Sequence, residues 1–191
     1  MKFFKKCILF ICITAISLAT ASCATSISRK MHEDIKDKYE SRAFKVGENS
    51  GIFAYSDKHV NYKQGCNFNF ADLIARIVHE KIMSEGIKVE PVMPVGSIHL
   101  ITEEWKQHGK ELRTGFGIYF IGFHCNDNNC RISYSVFKIK SNHFSKKHPI
   151  SFNPDNYTDT AVCYADFENI LRPIVDEFYQ EVLKNTPKEK L

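Results

Sequence analysis

Two segments of the sequence place their apolar residues at helical spacing, and this pattern constrains the fold more than any other feature. Before the first segment, Asn69 stands at a capping position with Asp72 three residues on, and Gly86 is placed to end the helix. In the second, Pro173 predicts a bend or a break. The two stripes are Phe70, Leu73, Ile74, Ile77, Val78 and Ile82, and Phe167, Ile170, Leu171, Ile174, Val175, Phe178 and Val182.

The apolar faces of the two helices must pack against another layer, and the remaining apolar runs of the sequence predict the strands of a sheet that provides it. In residues 114–124 the side chains of both faces are apolar, which predicts a strand covered on both sides. The fold class is therefore α+β, with two layers: a mostly antiparallel sheet covered by two amphipathic helices. The predicted strands are residues 43–46, 51–55, 87–92, 97–105, 114–124 and 131–140.

The amino terminus has the layout of a secretory signal peptide. Three lysines precede a short apolar run, which ends in small residues before Cys23. The run is shorter than the roughly 20 apolar residues of a membrane-spanning helix, so we expect residues 1–22 to be removed. The predicted organisation is then a lipidated cysteine and tether over 23–42, one globular domain over 43–185 with a polar loop at 141–158, and a disordered tail at 186–191.

The small residues directly before Cys23 resemble the lipobox of bacterial lipoproteins. The resemblance implies cleavage before Cys23 and a diacylglycerol anchor on its sulfur, with Thr20 standing where the family usually has Leu. Cleavage after Ala21, at an A-x-A site, is the competing interpretation and implies plain secretion. Ala24 is not the Asp that retains enteric lipoproteins at the inner membrane, which favours the outer membrane, with the domain in the periplasm.

Cysteine parity favours the lipoprotein over plain secretion. Cys7 and Cys12 leave with the signal and Cys23 would carry the lipid, so four cysteines remain for two disulfides in an oxidising compartment. Four cysteines allow three pairings. We predict a bridge between Cys125 and Cys130, which flank a hairpin turn, and one between Cys66 and Cys163, which precede the two helices.

Composition weighs against nucleic acid as a partner. Removing residues 1–22 leaves 23 basic against 22 acidic side chains, and no zinc-finger or aromatic–basic RNA motif is present. One local basic cluster could still contact an anionic partner, such as a glycolipid headgroup or a cell-wall polymer, or it could be a solvated hairpin end. Its cations are Lys138, Lys140, Lys146 and Lys147.

Catalytic and metal-binding motifs are weak throughout. His79 and Glu80 open like H-E-x-x-H, but the second histidine is missing. Asp155 and Asp159 could form a carboxylate pair, although turn and cap roles fit their loop better. No catalytic residue, metal ligand or cofactor is assigned.

The order of elements and the lipobox-like exit resemble a loose group of small periplasmic lipoproteins of the lipopolysaccharide-assembly and penicillin-binding-protein-activator kind. The resemblance implies a membrane-anchored, non-enzymatic binding or assembly module that contacts another envelope component. A hydrolase-like enzyme and a host-facing surface lipoprotein remain the alternatives.

Overall fold

The computed structural model of the chain describes residues 37–47, 50–94, 117–127, 129–138 and 144–186. Residues 39–191 form one compact unit. Its elements in chain order are β1 (Tyr39–Val46), β2 (Ser50–Asp57), α1 (Phe70–Ser84), β3 (Met93–Pro94), β4 (Gly117–Asn126), β5 (Asn129–Lys138), β6 (Phe144–Ile150) and α2 (Thr160–Asn185). Among the described residues, no helix is long and apolar enough to cross a membrane.

The strands form one six-stranded sheet in the order β3-β1-β2-β4-β5-β6. All neighbours are antiparallel except β2 and β4, which run parallel. Both helices pack against the same side of this sheet, α1 on β1, β2 and β4 and α2 on β4 and β5. The two-layer α+β fold with a mostly antiparallel sheet is confirmed. We call the covered side the helix face and the opposite side the far face.

Aromatic rings fill the core between the helices and the sheet. Phe123 of β4 is fully buried and lies 4.8 Å from Phe70 of α1 and 4.9 Å from Phe167 of α2, measured between ring centroids. Phe152, which follows β6, packs on the same rings. One aromatic cluster therefore joins both helices to the centre of the sheet.

Both helices begin where a side chain caps them. The carboxamide oxygen of Asn69 accepts hydrogen bonds from the backbone N–H groups of Ala71 and Asp72, as the sequence predicts. Asp159 does the same for α2, which therefore begins at Thr160, seven residues before its apolar stripe. The helix runs through Pro173 without a break. Asp155 lies in a short 3₁₀ turn and pairs with Lys63, so the turn and cap roles of the two aspartates are confirmed.

Three predicted boundaries are wrong, and in each case polar residues belong to the folded domain. The polar loop predicted at 141–158 contains β6, an edge strand whose lysines and proline hide its pattern. The first strand begins at Tyr39 rather than residue 43, so 39–42 belong to the sheet and not to the tether. Thr186, predicted as tail, is fully buried, and its hydroxyl contacts that of Tyr119.

The strand predicted at 87–92 is also wrong. Val89 forms a single bridge with Val46, and regular pairing resumes only at Met93–Pro94. Pro91 lacks the N–H that a continuous ladder needs. The strand predicted at 97–105 and the start of the one at 114–124 lie outside the described residues.

Candidate functional site

The two parallel strands bring polar side chains together at one end of the far face. Because β2 and β4 run in the same direction, their carboxyl ends meet at the same edge of the sheet. Tyr55 and Asp57 lie at the end of β2, and His124 lies at the end of β4. Ser133 of β5 and Tyr39 of β1 complete the group, which we call the Tyr55 cluster.

A chain of hydrogen bonds runs through the Tyr55 cluster. His124 Nδ1 lies 3.2 Å from Asp57 Oδ1, and its Nε2 lies 3.1 Å from the hydroxyl of Tyr55. That hydroxyl is in turn 3.4 Å from Ser133 Oγ. The histidine therefore connects a carboxylate to a phenol, and the phenol to a serine hydroxyl.

Asp57 is held from a second direction. The backbone N–H of Cys125 donates to Asp57 Oδ2 at 3.0 Å. Cys125 and Cys130 form the pair that follows the one closing the hairpin turn, and such a pair exchanges no backbone hydrogen bonds. The N–H of Cys125 therefore points away from β5 and is available to Asp57. His59 lies beside it, with Nε2 2.8 Å from the carbonyl oxygen of Cys125. Both carboxylate oxygens of Asp57 are therefore engaged.

A glycine makes room for the phenol ring. Gly122 lies opposite Tyr55 in the β2–β4 register, and a Cβ at Gly122 would stand 2.3 Å from a carbon of the Tyr55 ring. The ring of Tyr39 contacts both Tyr55 and His124 edge-on, with centroids 5.7 Å apart in each case. The ring of Tyr55 therefore packs between Gly122 and Tyr39, with its hydroxyl directed at His124.

The environment moves the pKa values of the carboxylate and the phenol in opposite directions. Burial disfavours the charged form of Asp57, but the hydrogen bonds from His124 and from Cys125 outweigh it and lower the pKa of Asp57 below its usual value. Burial raises the pKa of Tyr55, against the opposing effect of its Ser133 hydrogen bond. The cluster therefore holds an ionised carboxylate and a neutral phenol.

The structure places the two described lysines of the predicted basic cluster, Lys146 and Lys147, on opposite faces of the sheet. Lys146 pairs with Glu177 of α2 on the helix face, and Glu177 also accepts a hydrogen bond of 2.7 Å from Tyr134. Lys147, one residue on, projects from the far face. Lys140 and the side chain of Lys138 lie outside the described residues, as does Cys23.

The predicted disulfide pairs are joined. The Cα atoms of Cys66 and Cys163 lie 5.5 Å apart, and those of Cys125 and Cys130 lie 4.0 Å apart. Cys163 lies inside the first turn of α2 rather than before the helix. Two disulfides are typical of a protein from an oxidising compartment.

The residues considered for metal binding do not converge. His79 contacts the carbonyl oxygen of Glu90 at 3.3 Å, and no group of three possible metal ligands occurs in the described part of the chain. His79 and Glu80 line an open cavity of about 500 Å³ beside α1. The cavity's two arginines are each paired, Arg42 with Asp72 and Arg76 with Glu80, so its charges are balanced.

No member of the Tyr55 cluster is predicted as a site residue from the sequence. Tyr55 and Asp57 are two residues apart on one strand, so they share a face, but this spacing does not reveal which strand lies beside them. His124 stands next to Cys125 in the sequence, which gives no sign of its contacts with Asp57 and Tyr55. Comparison with known proteins finds no matching family model, no matching curated protein and no matching solved structure.

The substitution Asp57→Asn should lower the free energy of unfolding by about 1–3 kcal/mol at pH 7, because a carboxamide cannot accept from both His124 and Cys125. The pKa of Asp57 is lowered in the folded state, so its contribution is complete above the pKa of the unfolded chain, about 3.9, and is lost as the pH falls through the folded value. Urea titrations of both proteins at several pH values measure the difference.

Asp72→Asn is the matched control for Asp57→Asn. Asp72 pairs with Arg42 but its side chain is 53 % exposed, so we expect a loss of at most about 1 kcal/mol. Equal losses of unfolding free energy in the two variants would contradict the role given to the hydrogen bonds of Asp57. So would a difference between the natural chain and Asp57→Asn that does not shrink below pH 4.

Proposed function

We propose that this chain is an exported envelope lipoprotein, anchored to a membrane through a lipid on Cys23, whose domain is a non-enzymatic binding or assembly module. The observation that supports the lipid anchor is the pairing of the four cysteines of the domain in two disulfides. The two bridges consume Cys66, Cys163, Cys125 and Cys130. With residues 1–22 removed, Cys23 has no partner among them, and acylation gives its thiol a role that a stray secreted cysteine lacks.

The far face of the sheet supports the binding role of the domain. Its apolar half is buried at Phe53, which stacks on Phe120 with ring centroids 5.1 Å apart, and the Tyr55 cluster forms a polar half beside it. Tyr39, Tyr55 and His124 are rings that combine apolar surface with hydrogen-bonding atoms, a combination enriched where proteins contact partners. In this proposal the envelope component is recognised at the polar half.

A second candidate function, an acid–base enzyme, is favoured by the linear Asp57–His124–Tyr55 chain. A carboxylate that orients a histidine towards a hydroxyl is the arrangement of a general base beside a nucleophile. A tyrosine nucleophile needs a lowered pKa, whereas burial raises that of Tyr55. We therefore place this function second. Hydrolysis of ester or glycoside substrates that is lost in His124→Ala, with the fold intact, would reverse the order.

Replacing Cys23 with Ser tests the anchor. The thiol is the only group that can carry the diacylglycerol in the proposed maturation, so the Cys23→Ser chain should lose incorporation of a labelled fatty acid. Once processed, it should leave the membrane fraction in a high-salt wash. Intact mass of the amino-terminal peptide should show the lipid on the natural chain. A Ser22→Ala chain is the control and should stay lipidated. A Cys23→Ser chain that remains membrane-bound at the mature size after a high-salt wash contradicts the proposal.

A further inference from the structure

The far face carries two cations beside the Tyr55 cluster that no carboxylate of the described chain neutralises. Arg131 lies opposite His124 in the β4–β5 register, and Lys147 lies opposite Ser133 in the β5–β6 register. Both side chains are exposed. Lys146, which neighbours Lys147 on β6, forms an ion pair with Glu177 on the helix face. Among the described cations of this strand pair, Arg131 and Lys147 on the far face are therefore the ones available to an anionic partner.

The geometry brings these two cations within reach of one anionic group. Arg131 and Ser133 are two residues apart on β5, and Lys147 is the direct neighbour of Ser133, so Arg131 and Lys147 are diagonal neighbours on the same face. Diagonal pairs of this kind have Cα atoms about 7–8 Å apart, and long side chains span that distance. The nearby carboxylate of Asp57 is engaged on both oxygens, and Asp127 lies at the exposed hairpin tip.

The end of the chain that would carry the lipid enters the domain beside the Tyr55 cluster and these two cations. Tyr39 is the first residue of β1 and a member of the Tyr55 cluster. Sixteen positions separate Cys23 from Tyr39, so the two Cα atoms can be no more than about 55 Å apart in any conformation of the segment. The part of the domain nearest to the lipid along the chain is thus its aromatic and cationic patch.

We infer that Arg131, Lys147 and Tyr39 dock the domain on the anionic headgroups of the membrane that holds its lipid. Arg131 and Lys147 meet the phosphates, and Tyr39 supplies a ring of the kind that is enriched at the membrane–water interface. The inference rests on the proposed lipid anchor and gives the domain a fixed orientation above the membrane. The diacylglycerol supplies two acyl chains, which suffice for stable anchoring, so the cationic patch sets the orientation of the domain rather than the strength of the anchor.

The test measures sedimentation of the mature Cys23→Ser chain, which carries no lipid, with vesicles at low salt. The chain should bind vesicles containing phosphatidylglycerol, should not bind vesicles of phosphatidylcholine alone, and should be released by salt. Arg131→Glu combined with Lys147→Glu should weaken binding at least about 30-fold, since each cation near an anionic surface contributes about fivefold.

The matched control reverses two lysines at the other end of the domain. Lys88 lies beside Gly47, after the last residue of β1, and Lys184 lies in the last turn of α2, close to the Thr186 that contacts Tyr119. Lys88→Glu combined with Lys184→Glu makes the same change in net charge and should keep most of the binding. Circular dichroism and intact disulfides establish that both double variants are folded.

Three results would overturn the inference: equal losses in the two double variants, binding to neutral vesicles as strong as to anionic ones, or no binding to anionic vesicles at low salt. Each leaves the lipid anchor untouched, because the assay uses a chain without lipid. The anchor has its own test in the mass of the amino-terminal peptide, so failure of one proposal is distinguishable from failure of the other.

Discussion

Removing the Cys66–Cys163 bridge is expected to lower the free energy of unfolding by about 4–5 kcal/mol, because it closes a loop of almost 100 residues. The two cysteines are 97 positions apart, and both are fully buried at the point where the starts of α1 and α2 meet. Without the bridge the unfolded chain regains the conformations that this long loop excludes. Urea titration of the Cys66→Ala, Cys163→Ala double variant under oxidising conditions measures the loss.

The second bridge provides the comparison within the same chain. Cys125 and Cys130 are only five positions apart, and the hairpin register already places them opposite each other. The same chain-entropy relation gives about 2 kcal/mol for so short a loop. A larger loss in the Cys125→Ala, Cys130→Ala variant than in the first would contradict the assignment of the long bridge as the main covalent constraint on the fold.

The substitution Phe123→Ala is expected to cost about 3–5 kcal/mol, the range for a large aromatic side chain lost from a packed core. Its ring is fully buried and contacts rings from both helices and from the segment after β6. No single neighbour can fill the space, since those rings are held by three different elements. Thermal or urea unfolding, monitored by circular dichroism, gives the change.

Phe120→Ala is the control on the same strand. Phe120 projects from the far face and is partly exposed, with a stacked contact to Phe53. We expect a loss of about half that of Phe123→Ala or less, because less apolar area leaves water on folding. If the two variants lose the same stability, the far face contributes to the core as much as the helix face does, and the two-layer description would need revision.

The sequence predicts the parts of the fold that depend on apolar patterning. Both helix stripes, the apolar residues of β4 and the disulfide pairs are predicted because these residue types are the ones that proteins bury. The edge strand β6 escapes the same reasoning because four of its seven side chains are Ser145, Lys146, Lys147 and His148, and Pro149 follows them. Such residues protect an exposed edge from pairing with other chains, and they erase the period-two signal in doing so.

The Tyr55 cluster could not be predicted for a different reason. Its members come from four strands, and His124 meets Asp57 and Tyr55 only because β4 lies parallel to β2. Parallel neighbours are joined by long connections, so no local spacing in the sequence marks them. Gly122 is the one local sign: a glycine inside a strand indicates the close approach of another group, which in this sheet is the Tyr55 ring.

The parallel pairing of β2 with β4, which we call the seam, also sets an order of events during folding. The β1–β2 hairpin and the β4–β5–β6 meander each pair strands that are close in sequence, whereas the seam joins residues more than sixty positions apart. Loop-closure entropy opposes such distant contacts until local pairs have formed. We therefore expect the two halves of the sheet to assemble first and the seam to close last. The hydrogen bonds of His124 with Asp57 and Tyr55 then form only in chains that have finished folding.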